Sequence, residues 1–409
     1  MQETALVKFL RYAKIDTQSK EDVNETPSTQ KQFNLSRLLV DELKQFGITD
    51  AELDEHCYVT ATIPKNTDKK VSIICFVAHV DTSPEVTDTD VKPQVIENYL
   101  GGDIVLPGDN SIIIKESENR NLRKCIGGTI VTTDGTTLLG ADNKAGVAAI
   151  MTAAERLMND SSIIHGDVKI CFTPDEEVGK GTEYFPFERI NAEYAYTVDG
   201  DMPGELNKET FSANSATITI HGRDIHPGMA KDIMVNSVRA AADIIAMLPK
   251  HMSPETTDKY QPYIHPLGIE GGVMKTTIRF ILRDFETSGL ETQREILQNV
   301  IAVAQTLHPR AKFELVIKES YRNMREKLEE KPEVLEWLWE AAVRTGTDPY
   351  WEPIRGGTDG SKLSWKGLPT PNIYTGGQNF HSRNEWLSVD GMNKAVETII
   401  NLVQIIAEK

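Results

Sequence analysis

The chain has 409 residues, with 44 lysines and arginines against 61 aspartates and glutamates, which gives a formal net charge of −17. Hydrophobic residues make up 39% of it, enough to build the cores of two or three domains and to exclude disorder as the main state. The acidic balance, without a long block of lysine and arginine, argues against nucleic acid or an anionic membrane surface as a partner.

Membrane and secretion signals are not expected in this sequence. No segment approaches the roughly 18–20 consecutive apolar residues of a membrane span. Residues 1–16 lack the uninterrupted apolar stretch of a secretory signal. The four cysteines are widely spaced, which favours reduced, buried thiols. We therefore expect a cytoplasmic protein.

The first half of the chain alternates predicted helices and strands, which favours an α/β fold. The segment 71–80 is nearly all apolar, as expected for a central strand covered on both faces. Residues 82–124 break the alternation and predict a long loop or a small hairpin layer. Around these features, apolar periodicity predicts helices at 7–13, 32–46 and 147–158, and strands at 57–63, 168–173 and 194–198.

A different pattern follows and predicts an inserted domain at residues 206–318. Predicted strands at 211–221, 273–285 and 312–317 alternate with helices at 236–248 and 293–307. This is a β-α-β-β-α-β unit if segment 273–285 pairs with segment 211–221 and a weak strand lies nearby. A helix at 333–345, a strand at 370–374 and a helix at 388–408 then return to the α/β pattern. The expected domains are therefore 1–205 and 319–409 around the insertion 206–318.

Acidic residues and histidines lie where predicted strands end, which is where open α/β sheets bind ligands. His79 and Asp81 end the strongest strand and point the same way because strand side chains alternate. A metal-binding histidine oriented by a carboxylate needs such an arrangement. A hydrogen-bonded core histidine beside a turn aspartate is the alternative.

The other candidates are individually weak. Asp142, between two glycines at a helix start, would bridge two cations or simply cap the helix. The adjacent Glu176 and Glu177 repel each other and need a cation or a proton to coexist, unless both are simply exposed. Asp199 ends a strand, as a turn aspartate also would, and His381 lies in a glycine-rich loop that is otherwise a mere connection.

Together these side chains offer nitrogen and oxygen donors without cysteine, which fits a paired site for zinc or a similar cation. Two such cations would lower the pKa of a bound water and polarise a carbonyl. The sequence therefore predicts hydrolase chemistry. The members of the set are His79, Asp142, Glu177, Asp199 and His381.

The ordered set of motifs resembles the tripeptide aminopeptidases of the di-zinc aminoacylase/carboxypeptidase-like metallopeptidase superfamily, and the likeness runs end to end. One such motif alone is weak, whereas the ordered set is specific. The motifs are Arg11-Tyr-Ala-Lys-Ile-Asp-Thr-Gln-Ser19, Ala78-His-Val-Asp-Thr-Ser-Pro84, Leu139-Gly-Ala-Asp-Asn-Lys-Ala-Gly146, Pro174-Asp-Glu-Glu-Val-Gly179, Val198-Asp-Gly200, Arg355-Gly-Gly-Thr-Asp-Gly360 and Asn379-Phe-His-Ser382.

The resemblance implies a mixed-sheet zinc-peptidase catalytic domain with an inserted, ferredoxin-like α+β lid, and two Zn²⁺ ions per subunit. Glu176 would be the general base and Asp81 would orient a ligand histidine. The implied ligands are His79 and Asp199 for one zinc, Glu177 and His381 for the other, and Asp142 bridging both.

The resemblance also implies roles for the inserted domain, which would close over the substrate and support a homodimer. His226 matches a lid histidine that stabilises the oxyanion, sometimes across a dimer. Arg355 is a candidate clamp for a substrate carboxylate, with a structural salt bridge as the alternative. Asn236 is a further candidate substrate contact.

We therefore predict a cytoplasmic, metal-dependent aminopeptidase that removes the N-terminal residue from tripeptides, with Co²⁺ or Mn²⁺ able to replace zinc. A di-zinc dipeptidase or N-acyl amino-acid amidohydrolase is the nearest alternative. An inactive binding or assembly protein is an alternative of another class. A nucleotide-binding protein lacks support because the glycine pairs match no phosphate-binding motif.

Overall fold

The structure is a computed structural model that describes residues 2–409. Across these residues, none of the helices combines the length and apolar character that a bilayer span requires. The helices are α1 (Ala5–Tyr12), α2 (Gln32–Gln45), α3 (Ala141–Asn159), α4 (Phe187–Ile190), α5 (Ser237–Met247), α6 (Thr287–Leu307), α7 (Arg325–Glu329), α8 (Pro332–Arg344), α9 (Asp359–Trp365) and α10 (Val389–Glu408).

The strands belong to four sheets and are numbered in chain order. They are β1 (Glu52–Leu53), β2 (Val59–Ile63), β3 (Ile74–His79), β4 (Gln94–Ile96), β5 (Ile104–Val105), β6 (Ile113–Ile114), β7 (Ile130–Thr132), β8 (Val168–Thr173), β9 (Tyr194–Gly200), β10 (Glu205–Asn207), β11 (Ser212–His221), β12 (Tyr263–Gly272), β13 (Lys275–Asp284), β14 (Lys312–Tyr321), β15 (Tyr350–Trp351), β16 (Asn372–Tyr374), β17 (Gly377–Gln378) and β18 (Trp386–Ser388).

The chain divides into two compact units. Among the described residues, the first comprises 2–208, 324–352 and 358–409, and the second comprises 209–323 and 353–357. The sequence expectation for the insertion was 206–318, and the two sets of bounds differ for local reasons. Strand β10 pairs with β15 and β16 of the first unit, whereas β14 continues to Tyr321 within the second.

The first unit is built on an eight-stranded mixed sheet in the order β1-β2-β8-β3-β9-β16-β10-β15. Its centre is parallel, because β3 pairs in parallel with both β8 and β9, and β9 pairs in parallel with β16. The antiparallel pair of β2 and β8 makes the sheet mixed. The carboxyl ends of β8, β3, β9 and β16 therefore lie along one edge.

Strand β3 is buried along its whole length, as the apolar run predicts. Ile74, Phe76 and Ala78 join the large core that includes α1, α3, α8 and α10. Cys75 and Val77 join a smaller core on the opposite face. The sheet is therefore covered on both sides, and the four cysteines are free and buried.

A smaller sheet, in the order β17-β18-β7-β4, draws two of its strands from the C-terminal part of the chain. Antiparallel pairing of Gly377 with Leu387 and of Gln378 with Trp386 closes the loop that carries His381. Strands β4, β5 and β6 form within the region where the sequence predicts an interruption.

The second unit is a four-stranded antiparallel sheet in the order β12-β13-β11-β14, with α5 and α6 packed on it. The predicted pairing is present, because β13 pairs with β11 from Ser212↔Asp284 to His221↔Lys275. Strand β12 is the weak strand that the prediction required, and only one of its ten residues, Ile264, is buried. The connectivity is therefore the predicted β-α-β-β-α-β.

Candidate metal centre

The register of the large sheet brings the predicted donors to one level. His79 is the last residue of β3, and Val77 pairs with Thr197 of β9, two residues before Asp199. His79 also pairs with Thr173, the last residue of β8. Glu177 follows Thr173 by four residues, so all three donors leave neighbouring parallel strands at the same edge.

Two groups of donors meet at Asp142. The Nε2 atom of His79 lies 2.9 Å from Oδ1 of Asp142 and 3.5 Å from Oδ1 of Asp199. The Nε2 atom of His381 lies 3.3 Å from Oδ2 of Asp142 and 2.7 Å from Oε2 of Glu177. Each carboxylate oxygen of Asp142 therefore faces a different histidine, as a carboxylate shared between two cations would.

The donor chemistry fits divalent cations. Ligand atoms of His79, Asp142 and Glu177 all lie within 4.8 Å of one another. The second oxygen of Glu177, Oε1, is buried without a hydrogen-bond partner, an expensive state for a carboxylate that a cation would relieve. Imidazole nitrogen with carboxylate oxygen is a donor combination typical of zinc and its neighbours in the first transition series.

Burial and the closeness of these charged side chains shift their pKa values. Burial, together with the charge of Asp142, raises the pKa of Glu177 to about 8. Burial also raises the pKa of Asp199 to about 7, even though His79 opposes the shift. Burial alone would lower the pKa of His381, but hydrogen bonds with Asp142 and Glu177 outweigh this effect and raise the pKa to about 11. The buried acids thus compete for the histidine protons, and divalent cations would replace those protons.

The tautomer of His79 follows from its surroundings. Its Nδ1 atom lies 3.0 Å from the backbone oxygen of Asp81, and because a carbonyl only accepts, Nδ1 must donate. In neutral imidazole the lone pair is then on Nε2, which faces Asp142 and Asp199. The Asp81 carboxylate is close as well, with Oδ1 3.3 Å from Nδ1.

Asp81 has a second set of contacts that the sequence did not indicate. Its Oδ1 accepts a hydrogen bond from the backbone N–H of Glu176 at 3.0 Å, and its Oδ2 accepts one from Glu177 at 3.2 Å. Asp81 is fully buried. It therefore fixes the backbone of the two glutamates to the end of β3, while burial raises the pKa of Glu176 well above its usual range.

Other buried side chains hold the same loops in place. Asn372 accepts a hydrogen bond from the backbone N–H of Asp199 at 3.1 Å. Asp175 accepts from the backbone N–H of Ser28 at 2.6 Å and from Gln32 at 2.7 Å. The sequence analysis missed these residues because no local pattern marks an acceptor whose partner lies far along the chain.

Asp359, in the Arg355–Gly360 motif, is a further buried acid that the sequence analysis left without a role. Its Oδ2 accepts a hydrogen bond from Thr173 at 2.8 Å. A Cβ atom added to Gly181 would overlap the Asp359 carboxylate oxygens. Asp359 therefore packs directly on the loop that follows Glu176 and Glu177.

A second glycine permits a close approach of two elements. A Cβ atom at Gly146, in the first turns of α3, would overlap the backbone oxygen of Val198. Val198 directly precedes Asp199, so this contact sets the distance between α3 and the end of β9. Helix α3 is capped at Gly140 without a side-chain bond, and Asp142 is non-helical. The Asp142 side chain therefore faces the histidines instead of capping the helix.

The three candidates in the second unit make local contacts. The ring of His226 is exposed and its Nδ1 accepts from the backbone N–H of Gly228 at 3.1 Å. Asn236 caps α5, because its side-chain oxygen accepts hydrogen bonds from the backbone N–H groups of Val238 and Arg239. The Arg355 guanidinium donates to the backbone oxygens of residues 259 and 261 and lies 5.1 Å from the Phe211 ring.

Comparison with known proteins places this site in a family. The sequence profile of peptidase family M20/M25/M40 matches residues 138–405. A peptidase T from Geobacillus thermodenitrificans is 46% identical over 409 residues, which cover all of both chains. The chain therefore belongs to peptidase family M20/M25/M40 and, within it, to the peptidase T family. It is a metal-dependent peptide hydrolase, as the sequence motifs predict.

Solved structures confirm the fold. An aminopeptidase from Bacillus cereus superposes with a TM-score of 0.77 at 22% identity, covering 100% of this chain and 99% of the other. A tripeptidase from Staphylococcus aureus gives the same TM-score and coverage at 20% identity. A dinuclear metal-binding peptidase from Bacillus subtilis gives 0.66 at 14% identity, covering 99% and 98%. The predicted fold class is confirmed.

Proposed function

We propose that the protein removes the N-terminal residue from tripeptides, using two divalent cations and Glu176 as general base. The observation that carries this proposal is the meeting of two donor groups at the two oxygens of Asp142. The solved relatives add support, since one is named an aminopeptidase, one a tripeptidase and one a dinuclear metal-binding peptidase.

In this proposal His79 and Asp199 would hold one cation and Glu177 and His381 the other, with Asp142 shared between them. Two such cations supply Lewis acidity, lowering the pKa of water and polarising the scissile carbonyl. Zinc is the first candidate, and cobalt or manganese accepts the same donors.

Glu176 and Glu177 divide two tasks between adjacent positions. Oε2 of Glu177 lies 2.7 Å from Nε2 of His381, so Glu177 would be a metal ligand. Glu176 is half-buried and its backbone is fixed by Asp81. It would accept a proton from the attacking water and return it to the leaving amine, a step typically worth about 10²–10⁴-fold in rate.

The remaining roles stay predictions. These are oxyanion stabilisation by His226, substrate contacts by Arg355 and Asn236, closure of the second unit as a lid, a homodimer and a cytoplasmic location. The geometry within the first unit supports the metal centre and the base, and the proposal stands on those alone.

The test is hydrolysis of trialanine by the purified protein, before and after chelator treatment and after Zn²⁺ is restored. N-acetyl-trialanine and dialanine are the comparison substrates. Glu176→Gln is the active-site variant and Glu183→Gln, an exposed glutamate of the same loop, is its control. We expect chelator-sensitive release of only the first alanine, lost in Glu176→Gln and retained in Glu183→Gln.

Two results would overturn the proposal in different ways. Faster cleavage of the acetylated peptide or of dialanine would keep the metal centre and replace the substrate class. Hydrolysis that resists complete metal removal, or that survives in Glu176→Gln, would refute the mechanism itself.

A further inference from the structure

Glu385 is a buried carboxylate outside the proposed ligand set. It is 1% exposed and lies four residues after His381. Its Oε2 atom accepts hydrogen bonds from the backbone N–H groups of Leu139 at 2.7 Å and Gly140 at 2.8 Å. Its Oε1 atom accepts one from the backbone N–H of Asp142 at 3.0 Å. One side chain thus accepts three hydrogen bonds from the segment that carries the shared carboxylate.

That segment lacks the usual local support for a helix start. Gly140, the N-cap residue, has a φ of 77° and makes no side-chain cap bond. Asp142 has φ and ψ of −85° and 105°, which lie outside the helical region. Backbone N–H groups at the start of a helix have no partner within the helix and need other acceptors. The Glu385 carboxylate, from a distant part of the sequence, accepts hydrogen bonds from three N–H groups of this segment.

Glu385 also belongs to the loop of His381. The backbone N–H of Glu385 donates to the oxygen of Ser382 at 3.3 Å. Directly after Glu385, Trp386 begins β18, which pairs with both β17 and β7. The carboxylate therefore joins the Asp142 segment to a loop that is closed at both ends by strand pairing.

We propose that Glu385 is a positioning residue, which fixes Asp142 relative to His381 so that each oxygen of the shared carboxylate faces its histidine. The inference rests on the proposed function, because it concerns the same pair of cations. It adds that affinity for those cations depends on a side chain that does not contact them.

A purely structural role is the competing explanation, and Glu42 provides a matched control. Glu42 is also a buried glutamate of the first unit, 6% exposed. It contacts the hydroxyl of Tyr12 and lies 2.8 Å from the Arg11 guanidinium. Glu42→Gln weakens a buried polar network without touching the segments of Asp142 or His381.

The test is titration of the metal-free, full-length protein with Co²⁺, followed by visible absorption and by competition with a chelator. In Glu385→Gln the amide nitrogen replaces one acceptor, so it faces a backbone N–H group and Asp142 shifts. We expect Co²⁺ binding weaker by about 10–100-fold, as for other supporting groups around metal sites, and an altered absorption band. Glu42→Gln should bind Co²⁺ as the wild type does.

Each other result has a distinct meaning. Wild-type affinity in Glu385→Gln, or an equal loss in Glu42→Gln, overturns the positioning role and leaves the proposed function intact. A wild-type protein that binds no Co²⁺ overturns the metal centre itself. If Glu385→Gln does not fold, Glu385→Asp replaces it: the charge is kept but retracted, and unchanged Co²⁺ affinity there also overturns the proposal.

Discussion

The candidate metal centre of the first unit and the candidate residues of the second unit have different surroundings. At the strand ends, His79, Asp142 and Glu177 are mutually close, largely buried and left with an unsatisfied carboxylate oxygen. In the second unit, Asn236 and Arg355 have their hydrogen bonds met by nearby backbone. A buried carboxylate oxygen that lacks a hydrogen-bond partner indicates a ligand, whereas polar groups with satisfied hydrogen bonds need only a structural role.

The largest effect is expected from Asp142→Asn. The amide keeps the shape but removes the charge that both donor groups share, so both cations should be lost. Because the whole centre is affected, activity should fall further than the roughly 10²–10⁴-fold expected for loss of a general base. Metal content and kcat of the purified variant check this. Asp160→Asn, at the other end of α3, is the control, and a variant that keeps two cations would contradict the shared-ligand arrangement.

Gly146→Ala tests whether close packing sets the site. The added methyl would overlap the backbone oxygen of Val198, and a backbone atom cannot move aside without displacing Asp199. We expect the free energy of unfolding to fall by about 1–3 kcal/mol or more, measured with urea on metal-free protein. Gly272→Ala in the second unit, which meets no atom within 4 Å, should be near neutral. Equal losses in the two variants would count against the packing argument.

Asp359→Asn tests the burial of charge at the site. Burial raises the pKa of Asp359 from 3.8 to about 6, so between these values the folded state binds more protons than the unfolded state. The contribution of Asp359 to the free energy of unfolding should therefore fall as pH rises from 4 to 6. The variant should gain up to about 3 kcal/mol over the wild type at pH 7.5, and much less near pH 4. Urea unfolding of metal-free protein at both pH values measures the gain, and a pH-independent difference would refute the assignment.

The smallest effect is expected at Asn236. Loss of its two cap bonds in Asn236→Ala should cost about 1 kcal/mol, and Asn236→Ser should restore most of that stability. Thermal unfolding measures both. A KM for trialanine that rises in both variants would add the predicted substrate contact to the capping role. No loss of stability in Asn236→Ala would show that the cap is unimportant.

The sequence was most informative where the strand pattern determines position. His79 and Asp199 converge because strands β3 and β9 are parallel neighbours in register, and strongly apolar runs reveal such strands. The paired glutamates were conspicuous because adjacent buried charges need a reason. The ferredoxin-like connectivity was also predictable, since strand and helix periodicities differ clearly.

What the sequence did not reveal depends on long-range contacts. Glu385 is separated from its three donors by 243 to 246 residues, and no periodicity links such positions. Asp359 was missed for a similar reason, because its hydrogen-bond partner is Thr173, on a strand that is distant in the sequence. The short strands β7, β17 and β18 carry too few residues for a detectable alternation.

The link from Glu385 to the Asp142 segment has a consequence for biosynthesis. The chain emerges from the ribosome with its N-terminal part first, and domains generally fold as units during synthesis. Most of the large sheet, with His79, Glu177 and Asp199, is made well before residues 381–385. The nascent chain therefore carries an incomplete cluster of donors until residues 381–385 have emerged, so metal loading should follow their synthesis rather than guide it.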